Sequence, residues 1–210
     1  MAFWMTVSLV FVLYLALTHA ASSSPHPHQG VLKPFTGKPI TFEVTSAEEK
    51  KLLEGKGVTK TTQEMGAEKA NKKGGRGFAL QDVNAQPSVC LDTIADLKSY
   101  VQHVPSVKKV TTYDYQRGSG GVIKEKARFD VRVFGVGFTY YIDCKRHPGH
   151  NTYTWTLDYS KTSDFDDNVG HWQVMEHPSR PDWSRVLYST DVKLPSWLPS
   201  MVVNFLTKTA

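Results

Sequence analysis

The feature that most constrains the fold is an alternation of charged and apolar residues over residues 123–133. The charged residues of one parity are Lys124, Lys126, Arg128, Asp130 and Arg132. The apolar residues of the other parity are Ile123, Ala127, Phe129, Val131 and Val133. Successive side chains of a strand point to opposite faces of its sheet. The pattern therefore predicts an antiparallel strand with one solvated face and one covered face.

Other segments show the same two-residue period, and turn-forming sequences separate them. We interpret them as strands over residues 77–83, 107–116, 137–145, 152–160, 169–177 and 184–194. The sequence thus predicts an antiparallel sheet of about six to seven strands. Its inward positions are unusually aromatic, comprising Tyr113, Phe129, Phe138, Tyr140, Tyr153, Trp155, Tyr159, Trp172 and Tyr188.

Along the sequence, helical segments come before and after most of these strands. Residues 87–105 predict two short helices, opened by Pro87 and bent near Asp96. A last helix is predicted from about Leu198, with Trp197, Met201, Val202, Phe205 and Leu206 on one side. Because an antiparallel sheet with one apolar face must be covered, the fold class is predicted to be α+β.

The N-terminus has the composition of a secretory signal. Residues 1–24 carry no charged side chain, residues 3–17 are almost wholly apolar, and small residues surround Ala20 and Ala21. We expect a signal peptide over residues 1–21 and a destination in the secretory pathway, either secreted or in an endomembrane lumen. Two alternatives stay open: a plastid reached through that pathway, and an uncleaved signal anchor that tethers the chain to a membrane.

Between this signal and the sheet lies a polar region. Residues 22–76 are expected to form a flexible linker, because they are rich in Ser, Pro, His, Gly and Lys. A short helix is predicted near residues 46–54, loosely packed because Leu52 and Leu53 are its only strong apolar residues. The folded domain is expected over residues 77–210.

Motifs for catalysis or for metal binding are not found in the sequence. The acidic loop from Asp158 to Asn168 lacks the spacing of a calcium loop, so no metal and no cofactor are predicted. His171 and His177 share the parity opposite Trp172 and are expected to face solvent. Glu125 and Glu176 are weak candidates for a general base.

The cysteine content and the net charge bear on which classes of function the chain can have. Cys90 and Cys144 are interpreted as small buried residues, and whether they pair is left open. The net charge of +5 is not arranged as a basic stripe with interleaved aromatic residues, so nucleic-acid binding is not expected. We expect a monomer, and transient contact with a membrane surface is left open.

Four stretches resemble the START-like helix-grip superfamily, which includes polyketide cyclase/dehydrase-like, coenzyme Q-binding and birch-pollen-allergen-like proteins. They are LQDVNAQPSVCLDTIADLKSYVQHVPSVKKV, SDFDDNVGHWQVMEHP, SRVLYSTDVKLPSWLP and VVNFLTKTA. The resemblance implies a curved sheet that grips a long C-terminal helix, with an apolar cavity between them. It also implies that this helix runs further than Ala210.

Pattern and resemblance together predict a lipid-binding domain whose cavity is lined by inward-facing side chains. The predicted lining residues are Tyr113, Phe129, Val131, Phe138, Tyr140, Ile142, Tyr153, Trp155, Leu157, Trp172, Val174, Tyr188, Val202 and Phe205. The expected function is binding of a lipid, sterol-like compound, isoprenoid quinone or pigment, and whether the ligand is also transferred is left open. Two alternatives stay open: a cyclase/aromatase-type enzyme using the same cavity, and a structural or interaction domain with a filled core.

Overall fold

The computed structural model describes residues 24–62 and 73–203 of the chain. The predicted signal peptide and the predicted lining residue Phe205 lie outside this part. The helices are α1 (Ser46–Leu53), α2 (Pro87–Ala95) and α3 (Tyr100–His103). The strands are β1 (Val58–Thr62), β2 (Lys73–Val83), β3 (Val107–Arg117), β4 (Ile123–Val133), β5 (Val136–His147), β6 (Thr152–Leu157), β7 (Asp167–Glu176) and β8 (Ser184–Leu194).

All these strands join one curved antiparallel sheet in the order β1-β2-β8-β7-β6-β5-β4-β3. The α+β fold class is therefore confirmed, with eight strands where about six to seven were predicted. The additional strand is β1, within the region interpreted as a linker. Val58 of β1 pairs with Leu80 of β2, and both are buried. A single apolar residue in a polar run gives no alternation, so the sequence did not reveal this strand.

One face of the sheet, here called the inner face, is covered by the predicted helix pair. Cys90, Leu91 and Ile94 of α2 are buried in the core of this face. Pro87 begins α2, and Asp96 ends it with non-helical backbone angles (φ −80°, ψ 76°), so the predicted bend is confirmed. Cys90 and Cys144 are both buried and unpaired.

The C-terminal segment also reaches the inner face. Leu198 and Val202 are buried in its core, and the Pro199 carbonyl accepts hydrogen bonds from the amides of Val202 and Val203. In this way a helical turn begins at residue 200. Among residues 24–62 and 73–203, no helix is long and apolar enough to cross a bilayer.

Residues 24–45, here called the strap, lie against the opposite or outer face of the sheet. Asp167 anchors the strap, because its Oδ2 accepts hydrogen bonds from the amides of Val31 (2.7 Å) and Leu32 (2.8 Å). Further along, the Ile40 amide donates to Gln173 (2.7 Å). The region expected to be flexible is therefore packed against the sheet over its described length.

The strap passes over His147 and His171 at close range. A Cβ added at Gly37 would overlap the His147 ring, and Gly37 also has a positive φ of 82°. Glycine is thus required here for close approach rather than for flexibility. Phe35 stacks on His171 with ring centroids 5.3 Å apart, and His171 is fully buried. The prediction that His171 faces solvent was wrong, because the strap covers that face.

A second, smaller core lies between the strap, α1 and the outer face. Its buried members are Leu52, Val58, Leu80 and Leu187. A capping box formed by Thr45 and Glu48 begins α1. The loose packing expected for this helix was wrong, because one fully buried residue, Leu52, fixes it to the sheet.

An ionic network beside this core ties α1 to β2 and β8. The Asp82 carboxylate is fully buried and accepts from Arg185 Nε (2.7 Å) and His177 Nε2 (2.9 Å). Arg185 also makes a bidentate pair with Glu49, both bonds being 2.8 Å. Burial acts to raise the pKa of Asp82, but the bonds from Arg185 and His177 outweigh it and hold the pKa below its usual value.

His177 completes this network from inside the fold. Its Nδ1 accepts from the amides of Ser179 and Arg180, both at 3.0 Å, so Nε2 carries the hydrogen that is donated to Asp82. The expectation that His177 faces solvent was wrong. Sequence parity gave the correct face of the sheet, but this face is covered.

Lowering the pH is expected to lower the free energy of unfolding, because the buried His171 does not take up a proton readily. Burial lowers the pKa of His171, so the folded protein excludes a proton that the unfolded chain takes up below about pH 6.5. The free energy of unfolding should therefore fall as the pH drops below that value, by at most about 1.4 kcal/mol per pH unit for one group. Urea unfolding of residues 22–210 across this range, with His171→Gln, measures the effect.

The His171→Gln variant should show a shallower pH dependence than the parent protein. His150→Gln, at an exposed turn, should keep the parent's dependence. Parallel pH profiles for His171→Gln and the parent would show that His171 is not the group responsible. His147, whose pKa is also lowered chiefly by burial, contributes with the same sign, so the slope should not vanish completely.

Candidate functional site

A stack of aromatic rings occupies the half of the inner face formed by β4 and β5. The Phe129 and Tyr140 rings are nearly parallel, with centroids 5.2 Å apart. Phe165, from the loop before β7, also stacks on Tyr140, with its centroid 4.9 Å from that of the phenol. Tyr100 of α3 meets Phe129 edge-on at 6.0 Å. Such ring pairs fix one another's positions beyond the effect of burial alone.

A second aromatic group lies on β6, β7 and β8. The Tyr188 ring contacts both Trp155 (5.7 Å) and Trp172 (4.5 Å). Trp155 is held by a hydrogen bond from its indole N–H to Asn168 (3.1 Å), and its ring lies over Gly170. A Cβ at residue 170 would overlap that ring, so the missing side chain creates the place that the indole occupies.

One phenol of each group, Tyr140 in the first and Tyr188 in the second, is enclosed without being fully covered. Burial raises the pKa of both Tyr140 and Tyr188, yet each side chain keeps part of its surface accessible. Tyr140 makes no hydrogen bond with the described residues, and Tyr188 has only a weak contact with the Thr190 hydroxyl. Partly exposed phenols among apolar rings are the polar groups of this face that a bound molecule would meet.

Tyr153 differs from these two phenols. Its hydroxyl is fully buried beside the Cys144 thiol and has no hydrogen bond of ordinary geometry. Burial raises the pKa of both groups, so both stay neutral. The two side chains therefore add uncharged surface to the inner face.

Ionisable groups on the inner face are few. Glu125 lies on β4 opposite Cys144 and accepts a hydrogen bond from Thr112 (2.9 Å); burial raises its pKa. Arg146 lies near α2 and is paired with Asp92 at 2.6 Å. Among residues 24–62 and 73–203, no group of three or more potential ligands could hold a metal ion.

The structure brings together most of the predicted lining residues on the inner face. Those placed there are Phe129, Val131, Phe138, Tyr140, Ile142, Tyr153, Trp155, Leu157, Trp172, Val174, Tyr188 and Val202. Their role as ligand contacts stays a prediction.

Tyr113 is placed on the other face, which corrects the expectation that it points inward. The β3–β4 register shifts between Thr112 and Asp114, so a β-bulge reverses the parity at this point. The Tyr113 hydroxyl donates to Asp158 (2.7 Å), and its ring meets Tyr141 on the outer face. Tyr159, which follows the end of β6, packs beside the inner-face core, but its hydroxyl donates to Asp167 (2.7 Å).

Among the inner-face residues outside the predicted lining set are Tyr100, Phe165 and Leu198. They come from a helix, a loop and a turn. Residues outside strands have no two-residue period, and only the tertiary packing brings them to the sheet. The sequence carried no signal for Phe165, which lies within the acidic loop.

A cleft of about 270 Å³ lies on the outer face beside the strap. Its lining includes Ile40, Phe42, Val44 and Met175, together with Arg185. The guanidinium of Arg185 is already committed to Asp82 and Glu49. The other charged lining residue is Glu176, at the exposed end of β7. We take the inner face as the stronger candidate site because its aromatic residues are far more numerous.

Comparisons with known proteins identify the family. The family described as Polyketide cyclase / dehydrase and lipid transport matches residues 83–210, more than half of the chain. A search of curated proteins finds no match. Among solved structures, a STAR-related lipid transfer protein from Xanthomonas axonopodis is 12% identical with a TM-score of 0.56, covering 73% of this chain and 86% of that chain.

Two further solved structures are also similar to this chain. A protein from Thermus thermophilus is 14% identical with a TM-score of 0.51, covering 63% of this chain and 83% of that chain. The Zhui aromatase/cyclase from a Streptomyces species is 15% identical with a TM-score of 0.47, covering 60% of this chain and 71% of that chain. At such identities a likeness shows the fold alone.

Proposed function

This chain belongs to the polyketide cyclase/dehydrase and lipid transport family, and from that premise we propose that it binds and transfers a hydrophobic small molecule. The observation that carries the proposal is an apolar, aromatic face on which two phenols, Tyr140 and Tyr188, stay partly exposed. A mostly apolar concavity with a few polar groups is the usual form of a small-molecule site. The name of the Xanthomonas relative, a lipid transfer protein, supports the same class of ligand.

Burial of ligand surface supplies the affinity in this proposal. Each Å² of apolar surface removed from water contributes roughly 25 cal/mol, before the costs of association are subtracted. The aromatic rings hold a flat or branched skeleton well, because their own positions are fixed by stacking. Transfer requires the molecule to enter and leave. We assign that opening to the segment after β8 and the loop before β7.

The cellular setting is part of the same proposal. We place the mature protein, residues 22–210, in the secretory pathway as a monomer that meets membrane surfaces transiently. The charge-free apolar segment at residues 3–17 supports this location.

The decisive test is identification of a bound molecule. Residues 22–210 are purified from the organism's own cells, and native mass spectrometry is followed by organic extraction. We expect an apolar molecule at close to one per chain. A protein that arrives empty, and that also fails to bind a panel of lipids, sterols and quinones, would contradict the proposal.

The enzymatic alternative is favoured by one feature, the half-buried Glu125 carboxyl group on the inner face, whose pKa is raised by burial. A raised pKa makes a carboxyl group a better candidate for a general acid or base. A carrier should return its extracted molecule unchanged after incubation, whereas a cyclase should release a product of altered structure. Under the carrier proposal, Glu125→Gln should bind as the parent does.

The matched control for that variant is Glu176→Gln, at the exposed end of β7. If a converted product is found, and only Glu125→Gln abolishes it, the enzymatic alternative replaces transfer as the function. Liquid chromatography with mass spectrometry of the extract distinguishes the two results.

A further inference from the structure

The charges of the sheet are segregated between its two faces. In strands β4 to β8, which the structure describes completely, cations at outer-face positions are Lys124, Lys126, Arg128, Arg132, Lys145, Arg185 and Lys193. The inner face of the same strands carries one cation, Arg146, and Asp92 of α2 already neutralises it. Two further cations near this face are exposed at its border: Arg117 of β3, opposite Ile123, and Lys98, between α2 and α3. An anion bound at the aromatic groups would therefore meet no free positive charge from these strands.

Glu125 makes the inner face still less suited to an anion. Its half-buried carboxyl group lies on this face, opposite Cys144, and its one hydrogen bond comes from Thr112. Transfer of an ionised carboxylate or phosphate from water into such surroundings is unfavourable unless the charge is paired. When Glu125 is ionised it repels the anion, and when it is protonated it supplies no positive charge.

Two polar groups on this face without a strong hydrogen bond to described residues are the phenols of Tyr140 and Tyr188. Tyr140 makes no hydrogen bond with the described residues, the Tyr188 hydroxyl contacts only Thr190, and both residues stay partly exposed. Because burial raises the pKa of both, they remain neutral and keep their hydrogens. A phenol can donate to a carbonyl oxygen and can exchange hydrogen bonds with a hydroxyl group.

We propose that the ligand is a neutral molecule whose carbonyl or hydroxyl oxygen contacts the hydroxyls of Tyr140 and Tyr188, and that the site rejects lipids whose buried end is anionic. This inference rests on the proposed function and specifies the ligand class for the same site. Its basis is the separation of cations to the outer face together with the two uncommitted phenols. A fatty acid or a sulfated sterol is excluded, whereas a fatty alcohol, sterol or ketone is accepted.

The test compares probes that share a skeleton and differ in charge. The pairs are 1-hexadecanol with palmitate, and cholesterol with cholesterol sulfate. Each competes with a neutral fluorescent dye for residues 22–210, well above the pKa of a free carboxyl group. We expect the neutral member of at least one pair to bind 10-fold or more tightly than its anionic partner, on the order of 1.4 kcal/mol.

The outcomes separate the two proposals. If the anionic member binds as tightly as the neutral one, or more tightly, the inference is overturned while hydrophobic-ligand binding stands. If no member of either pair displaces the dye and no lipid binds by native mass spectrometry, the proposed function itself fails and the inference fails with it.

Single-hydroxyl variants locate the contact. Tyr140→Phe and Tyr188→Phe keep the rings and should each weaken binding of the preferred neutral probe roughly 3- to 10-fold, the usual effect of one hydrogen bond. Tyr141→Phe is the matched control, because the neighbouring side chain on β5 points to the outer face and meets Tyr113. Melting curves confirm that each variant is folded. Unchanged affinity in both inner-face variants would overturn the assigned contact.

Discussion

Replacing Arg185 with methionine is expected to lower the free energy of unfolding by about 3–5 kcal/mol. The guanidinium lies between the fully buried carboxylate of Asp82 and the partly exposed carboxylate of Glu49. Methionine keeps much of the volume but leaves Asp82 with one side-chain partner, His177. An uncompensated buried charge is among the few single changes that cost this much. Urea unfolding of residues 22–210 measures the loss.

Arg128→Met is the matched control for this prediction. Arg128 also pairs with a carboxylate, Asp130, but both side chains are partly exposed on β4. Pairs of this kind contribute about 0–1 kcal/mol, so the control should differ little from the parent protein. Equal losses in the two variants would show that the Asp82 network is not a special determinant of stability.

Adding one methyl group at residue 170 is expected to disturb both stability and the candidate site. The Cβ of Gly170→Ala would overlap the Trp155 indole, which cannot bend away as a flexible side chain could. Trp155 must then leave its stack with Tyr188 and its hydrogen bond to Asn168. Overpacking of this kind costs about 1–3 kcal/mol. Urea unfolding and near-ultraviolet circular dichroism report the two effects.

The control for this change is another strand glycine, Gly137 of β5. The nearest atom to a Cβ there is the Val131 carbonyl oxygen at 3.9 Å, an ordinary contact. Gly137→Ala should therefore stay within about 0.5 kcal/mol of the parent and keep its aromatic spectrum. A Gly170→Ala protein with parent-like stability and spectrum would mean that Trp155 is not held where the structure places it. Affinity for the preferred neutral probe should fall in Gly170→Ala and stay unchanged in Gly137→Ala.

The inner face could be predicted in large part because strand periodicity is a local property. Residues 123–133 alternate in sequence and also in space, and Phe129 and Val131 lie in the core as expected. The same rule failed at Tyr113, where a single inserted residue in the β3 bulge reverses the parity. No residue type in that stretch marks the bulge, since it reflects how β3 pairs with β4.

The strap shows a different limit of sequence reasoning. Its Ser, Pro, His and Gly content is typical of a linker, yet Asp167, Gln173 and Thr152 supply hydrogen-bond partners for its backbone. These partners lie more than a hundred positions away along the chain. A polar segment can be ordered by another part of the fold, and its own composition does not reveal this.

By itself, the sequence determined the α+β class, the succession of strands β2 to β8, the helix pair bent at Asp96, and the side chains that β4 to β8 turn inward. Each follows from local spacing, because backbone geometry fixes the direction of neighbouring side chains. Only the tertiary structure decided that the outer face is covered, that His171 and His177 are buried, and that Phe165 joins the aromatic face. These features depend on contacts between segments that are far apart in the sequence. Such contacts stabilise the fold only once the sheet has formed.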